Sequence, residues 1–92
     1  MSVTVEFLSV FPDLRGGKRT FSVKPAALGK IMDQLEDRIP GLKEKLVNQE
    51  GEIHPAYVVI LTRGEVQKLL KDVACQVKDG DEIIVLPVIS GG

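Results

Sequence analysis

The sequence predicts an α+β domain with a mixed sheet of four or five strands packed on one main helix. Apolar side chains alternate over Val3–Phe7, as they do in a strand with one buried face. Apolar residues recur at helical spacing over Leu28–Ile39, with charged residues between them. Two runs, Tyr57–Leu61 and Ile83–Leu86, are apolar at every position, which is typical of buried strands. These patterns predict one helix and several strands in a single small domain.

The first two strands are predicted to form a pair at the start of the chain. Val3–Phe7 is the first strand, and Leu8 and Val10 add apolar groups on its opposite face. Pro12–Lys18 contains two adjacent glycines, which predict a turn. Arg19–Val23 is then predicted to return as the second strand.

The main helix is expected over residues 26–39. Pro25 suits its first turn, where a missing N–H costs no hydrogen bond. The dipeptide Pro40-Gly41 ends the helix. The spacing of Leu42 and Leu46 predicts one more short helical turn.

The second half of the chain is predicted to supply the remaining strands. Ala56–Leu61 is a strand, followed by a turn over Thr62–Gly64. Leu69–Val77 leaves two interpretations open, a short helix or an irregular crossing. Lys78–Asp81 is a tight turn, and Glu82–Ile89 is the last strand. We expect the first and last strands to lie side by side and to run parallel.

One face of this sheet is expected to lack a cover. A single helix covers only one face, yet the two apolar runs carry hydrophobic side chains on both faces. An exposed apolar face of a sheet indicates a site for a partner protein. Some of the side chains among Leu8, Val59, Ile84 and Leu86 are expected to be partly exposed there. The alternative is that the segments 42–55 and 64–78 fold over this face.

Composition and charge exclude several classes of function. The 92 residues include 12 basic and 13 acidic side chains, so no basic field favours nucleic acid. The apolar runs are too short to cross a membrane, and the first residues lack the pattern of a signal peptide. Cys75 is alone and is predicted to be a small buried apolar residue rather than a reactive thiol. A cytoplasmic location is therefore expected.

No set of residues in the sequence predicts a catalytic or metal site. His54, the single histidine, is expected in an exposed loop. The carboxylates within Asp79–Glu82 surround a glycine, which indicates a turn rather than a metal site. Lys78 and Arg63 are candidates for contacts with a partner.

The end of the chain carries a resemblance to a known family. The strand order, the segment DGDEIIVLP and the terminal SGG resemble the MoaD/ThiS family of ubiquitin-like sulfur carriers over nearly the whole chain. The resemblance implies a ubiquitin-like β-grasp domain over residues 1–89 and a flexible Ser-Gly-Gly tail over residues 90–92. Glycine lacks a Cβ, so such a tail can enter a narrow channel in backbone conformations closed to other residues.

The resemblance also implies the chemistry of the tail. An ATP-dependent activating enzyme would convert the carboxylate of Gly92 to an acyl-adenylate, and sulfur transfer would then leave a thiocarboxylate, with Gly91 beside it. The protein itself would bind no cofactor or metal, and it would be a protein substrate and sulfur donor for a synthase subunit rather than an enzyme. The residues expected to contact these partners are Leu8, Val59, Ile84, Leu86, Pro87, Val88, Ile89 and Ser90.

The sequence leaves open which pathway receives the sulfur, and several related interpretations remain. The main reading is a MoaD-like small subunit of molybdopterin synthase, in molybdenum cofactor biosynthesis. However, Pro87 is followed by Val88 where that subunit commonly has a second proline, and the single proline resembles the CysO-like carriers of cysteine biosynthesis. A protein modifier that forms isopeptide bonds through Gly92 is a further alternative. An interaction-only β-grasp domain is the last.

Overall fold

The computed structural model describes residues 2–88 of the chain. These residues form two consecutive helices and two sheets, with three strands before the helices and four after them. The elements, in chain order, are β1 Val3–Phe7, β2 Thr20–Val23, β3 Ala26–Ala27, α1 Leu28–Arg38, α2 Leu42–Leu46, β4 Tyr57–Arg63, β5 Val66–Leu70, β6 Gln76–Val77 and β7 Glu82–Pro87.

The main sheet has five strands in the order β2-β1-β7-β4-β5. Its centre is the parallel pair of β1 and β7, in which Val5 lies opposite Ile83. The other neighbours in this sheet are antiparallel. The predicted mixed sheet is confirmed, and so is the parallel contact between the first and last strands. As a result, β7 is a central strand whose carboxyl end leads into the C-terminal segment.

The core lies between one face of the sheet and α1. Successive side chains of a strand point to opposite faces, and the inward set of β1, Val3, Val5 and Phe7, is fully buried. Helix α1 contributes an apolar stripe that meets this set. Buried residues of the two helices, and Ile39 directly after α1, complete it: Leu28, Ile31, Met32, Leu35, Ile39, Leu42 and Leu46.

The main helix begins later than the sequence predicts, at Leu28 rather than at residue 26. Ala26 and Ala27 instead form β3, paired with β6, so Pro25 precedes this strand and is not in the first turn of the helix. The first N–H groups of a helix need partners outside it. Leu28 N–H donates to the carbonyl of Cys75 at 2.8 Å, and Gly29 N–H donates to that of Val73 at 3.0 Å. The crossing segment therefore caps the helix.

The edge strand β5, Val66–Leu70, begins before the region that the sequence left ambiguous, Leu69–Val77, and that region ends with β6. The β4–β5 turn lies at Gly64 and Glu65, because Thr62 and Arg63 still pair with β5. Gly64 has a φ of 60°, a conformation that glycine adopts without steric cost. β5 was missed because four of its five side chains are exposed and show no apolar alternation. The last strand ends at Pro87, and Ile89 lies outside the described residues.

Candidate functional site

The root of the C-terminal segment is held at the carboxyl end of β7. β1 ends at Phe7, and Leu8 N–H donates to the carbonyl of Val85 at 2.8 Å. On the other side, Val88 N–H donates to the carbonyl of Ala56 at 2.9 Å. Val88, the last described residue, is 48% exposed. The chain therefore leaves the centre of the sheet from a defined position.

The sheet face opposite α1 is apolar near this root. On that face Ile60 of β4 lies between Ile84 of β7 and Leu69 of β5, and Val58 lies opposite Leu86. Leu69 is 53% exposed, and the others are half-buried. We call this surface the outer apolar face, with half-buried Leu8 at its border: Leu8, Val58, Ile60, Leu69, Ile84 and Leu86.

The other half of the same face is polar. Thr4 and Glu82 lie opposite each other, and Thr62 pairs with both Glu82 and Gln67. The face therefore changes from polar to apolar along β7, and its apolar half lies next to Val88. The segments 42–55 and 64–78 do not cover the apolar half, since α2 packs into the core and β5 extends the sheet.

For one residue, the position predicted on this face is wrong. Val59 is 0% exposed, and it lies opposite Val85 and Leu70 on the side that meets α1. The prediction failed because every residue of Tyr57–Leu61 is apolar. The sequence therefore does not show which of these side chains face the core and which face outward. Only the pairing of β4 with β7 shows that Val58 and Ile60 occupy the outer face. The partial exposure predicted for Leu8, Ile84 and Leu86 is found, and their contact with a partner stays a prediction.

The turn before β7 is fixed by a buried carboxylate. Asp81 is 3% exposed, and its oxygens accept hydrogen bonds from Arg63 Nε at 2.9 Å and Arg63 Nη2 at 2.7 Å. The backbone N–H of Lys78 donates to the same carboxylate at 2.7 Å. The hydrogen bonds from Arg63 are the main reason that the pKa of Asp81 is lowered.

This pairing changes the interpretation of the charged candidates. The guanidinium of Arg63 is engaged within the domain, which argues against its proposed role in docking a partner. Asp79 accepts a hydrogen bond from Ser2 N–H at 2.8 Å and so ties the turn to the start of the chain. Among residues 2–88 no group of three His, Cys, Asp or Glu side chains is placed to hold a metal ion.

A cluster of aromatic rings lies beside the tail root. The ring centroids of Phe11 and Tyr57 are 4.9 Å apart, and those of His54 and Tyr57 are 5.7 Å apart. Tyr57 lies opposite Pro87, so the cluster adjoins the end of β7. These rings and their neighbours line an open cavity of about 560 Å³. His54 is exposed, as predicted, but its Nδ1 accepts a hydrogen bond from Ala56 N–H at 3.0 Å.

The sequence did not predict this cluster, because its members come from two loops and a strand end. The only available signal was the pair of aromatic residues, Phe11 and Tyr57, placed beside Pro12 and Pro55. Cys75 also differs from the prediction, since it is half-buried rather than buried. Its segment passes the start of α1, and Cys75 packs against the border of the core.

Comparison with known proteins decides the family. Residues 15–92 match the model of the ThiS family. The chain belongs to this family of ubiquitin-like sulfur carriers. As a ThiS-family protein it has the expected β-grasp architecture, with α1 packed across the mixed five-stranded sheet.

Full-length relatives of this ThiS-family chain carry two kinds of name. The sulfur carrier protein CysO of Mycobacterium tuberculosis is 29% identical over 94 aligned positions, which cover 100% of both chains. The small archaeal modifier protein 3 of Haloferax volcanii is also 29% identical, with 100% of both chains covered.

Two solved structures show similar chains in complexes. The BexX/CysO complex of Amycolatopsis orientalis contains a chain with a TM-score of 0.82 and 29% identity, covering 98% of this chain and 99% of that one. The complex of subunits 1 and 2 of the molybdopterin-converting factor from Helicobacter pylori gives a TM-score of 0.63 and 26% identity, with 100% of both chains covered.

The predicted working end of this ThiS-family chain lies outside the described residues. This applies to Gly91 and Gly92, the expected site of activation, and to Ile89 and Ser90, two expected partner contacts. Pro87 and Val88 are described and lie at the tail root. None of the helices between residues 2 and 88 is long and apolar enough to cross a lipid bilayer.

Proposed function

We propose that this protein is a CysO-like sulfur carrier, whose C-terminal carboxylate at Gly92 is activated and then converted to a thiocarboxylate. An oxygen of the carboxylate attacks the α-phosphorus of ATP, and pyrophosphate leaves. Hydrosulfide, as the sulfur donor, then attacks the acyl carbon, AMP leaves, and loss of the S–H proton gives the thiocarboxylate. The activating enzyme uses the ATP, so the carrier is a protein substrate without a cofactor of its own. The need for ATP agrees with a cytoplasmic location.

The observation that carries this proposal is the continuity between the outer apolar face and the tail root. Leu86 belongs to that face, and Val88 follows it by two residues at the end of the same strand. The four residues after Val88 reach about 14 Å when extended. A partner bound to the outer apolar face would thus have the terminal carboxylate within reach of an active site beside it.

The sequence identities to named proteins support a CysO-like carrier over a subunit of molybdopterin synthase. The full-length CysO relative and the CysO chain in its complex are both 29% identical, against 26% for the molybdopterin-converting factor. The single proline at position 87 agrees with that choice. We therefore prefer transfer of the sulfur to cysteine biosynthesis. A molybdopterin synthase subunit is the second candidate, supported by the similarity to the converting-factor structure.

Mass spectrometry of the intact protein tests the activation step. After incubation with an activating enzyme, ATP and a sulfur donor, the wild-type chain should gain about 16 Da, the difference between sulfur and oxygen. A variant that lacks Gly92 should not gain this mass, because its carboxylate is one residue, up to about 3.6 Å, short of the active site. Equal conversion of both proteins would contradict the proposal.

A second experiment separates the two destinations. The thiocarboxylate protein is mixed either with a cysteine synthase and an activated serine, or with the large subunit of a molybdopterin synthase and its pterin substrate. In the first mixture the thiocarboxylate sulfur should displace the leaving group of the activated serine and form an acyl–cysteine thioester. Hydrolysis of this thioester should release cysteine and return Gly92 to the carboxylate, with a net loss of about 16 Da that the second mixture should not show. Loss only in the second would favour the molybdopterin reading. Attachment of the chain to lysines of other proteins, seen as a linkage through Gly92, would favour the modifier reading, which the archaeal relative supports.

A further inference from the structure

The turn over residues 54–57 connects the end of α2 to the tail root. His54 N–H donates to the carbonyl of Leu46 at 2.8 Å, and Tyr57 N–H donates to the carbonyl of His54 at 3.0 Å. The carbonyl of Ala56, between them, accepts the hydrogen bond from Val88 N–H. The conformation of this turn therefore decides where the last described residue is held.

The imidazole of His54 fixes the turn from inside. Its Nδ1 accepts the N–H of Ala56, the residue whose carbonyl holds Val88. In a regular antiparallel ladder, paired residues exchange two hydrogen bonds. Here the N–H of Ala56 is directed to the imidazole, so a single backbone bond joins Ala56 to Val88.

We propose that His54 is a positioning residue for the C-terminal tail. Its Nδ1 orients Ala56 so that the Ala56 carbonyl receives the N–H of Val88. Without this acceptor the turn loosens, and Val88 separates from β4 more often. The tail then starts from a less defined position, and an activating enzyme must order more residues when it binds. This last consequence rests on the proposed function, whereas the control of Val88 does not.

The positioning role of His54 depends on pH, because it depends on the protonation state of the imidazole. Nδ1 accepts a hydrogen bond only in the neutral ring with its proton on Nε2. A second proton occupies Nδ1 and removes the acceptor. The ring of Tyr57 lies beside His54, and the phenyl group of Phe11 lines the same cavity. Charged side chains of both signs share the cavities that His54 lines: Asp13, Glu36, Lys43, Glu44 and Lys45.

These charges do not replace the hydrogen bond at Nδ1. The carboxylate of Glu36 already accepts the N–H groups of Gly41 and Lys43, at 2.7 and 2.9 Å. Among the described residues, none of the five charged groups forms a hydrogen bond or an ion pair with the imidazole. Acidification should therefore have the same effect on the tail root as removal of the imidazole.

Hydrogen exchange of the full-length protein tests this role with two substitutions. His54→Ala removes the acceptor, whereas the side-chain oxygen of an asparagine at this position accepts the N–H two residues later at every pH. In His54→Ala, the protection of the Val88 amide should fall about fivefold, the effect of one ordinary hydrogen bond. His54→Asn should restore it. The amides of Ile83 and Val85 in the same strand serve as internal controls and should not change.

The pH dependence provides a readout that a purely structural role would not change. In the wild type, the protection of Val88 should fall along the titration curve of His54, recorded on the same sample by NMR. In His54→Asn it should stay constant over that range. Unchanged protection of Val88 in His54→Ala would overturn the proposal. Slower exchange would also overturn it, since Ala56 N–H would then pair with Val88. An equal loss of protection at the amides of Ile83 and Val85 would overturn the proposal as well.

Adenylation kinetics test the consequence for the tail. With His54→Ala we expect the KM for the carrier to rise about fivefold with kcat unchanged, and with His54→Asn we expect wild-type values. Equal KM values for the three proteins would overturn a positioning role in activation. If the wild type is not adenylated at all, the proposed function is wrong. The exchange experiment then decides by itself whether His54 holds Val88.

Discussion

The ion pair between Arg63 and Asp81 should make the stability of the domain depend on pH. Asp81 is almost completely buried, and three hydrogen bonds reach its carboxylate, two of them from the guanidinium. These bonds lower the pKa of Asp81 in the folded state. A group with a lowered folded pKa stabilises the fold above its unfolded pKa, and this contribution disappears as the pH falls through the folded pKa.

The substitution Asp81→Asn measures this contribution. Asparagine has nearly the same shape, but it lacks the charge and presents an N–H₂ group to donors. Hydrogen bonds to charged groups contribute about 1.5–3 kcal/mol each when buried. Because half of the Arg63 side chain is exposed and screened by solvent, we expect a total loss of only about 2 kcal/mol at pH 7. Urea unfolding followed by circular dichroism gives this difference in the free energy of unfolding.

The decisive result is the change of this difference with pH. The gap between the wild type and Asp81→Asn should be largest at neutral pH and should close below pH 4, as the wild-type carboxylate becomes protonated. Asp79→Asn is the matched control, because Asp79 belongs to the same turn and is exposed. It should change stability by less than about 0.5 kcal/mol. A gap that is equally large at pH 3 and pH 7 would refute the electrostatic explanation.

Three further predictions use the same structure. Leu69→Asp should weaken binding of the activating enzyme about tenfold by calorimetry, whereas Gln67→Asp, on the polar half of the same face, should not; equal effects would argue against an apolar docking face. Gly64→Ala should cost about 1 kcal/mol of unfolding free energy, because its φ of 60° disfavours a side chain even in open space. Glu65→Ala in the same turn should cost less than about 0.5 kcal/mol. Deletion of Gly92 should leave the urea midpoint unchanged, since the buried core ends at Val85; a lower midpoint would assign the diglycine a structural role.

The architecture could be predicted from the sequence where periodicity was clear. The alternation in β1 and the stripe of α1 gave the type and approximate position of those elements. The start of α1 could not be predicted, because carbonyls from residues 73 and 75 cap it, and no local pattern reveals partners 44 and 47 residues away. Strand β5 was hidden by its exposure at the sheet edge, where side chains need not alternate.

The candidate site was harder to predict, because it depends on pairing between distant segments. Ile84 and Leu86 were placed correctly on the outer face, but Val59 of β4 was placed on the wrong one. In a strand whose residues are all apolar, the sequence does not show which side chains face outward. His54 was placed correctly in an exposed loop, yet its hydrogen bond to Ala56 depends on the turn geometry. The sequence showed which residue types were available, and the register determined which of them meet.

The central position of β7 explains how one strand can serve two purposes. Asp81 anchors its start through Arg63, and hydrogen bonds to β1 and β4 hold its middle from both sides. Val85, which accepts the N–H of Leu8, is the last residue of β7 bonded on the β1 side among residues 2–88, and the bond from Val88 to Ala56 is the last one on the β4 side within the same range. The strand therefore changes over a few residues from a firmly held core element to a segment held by one bond. If a partner binds as proposed, loss of that one bond would separate Val88 from β4, while the paired strands that carry the outer apolar face would stay intact.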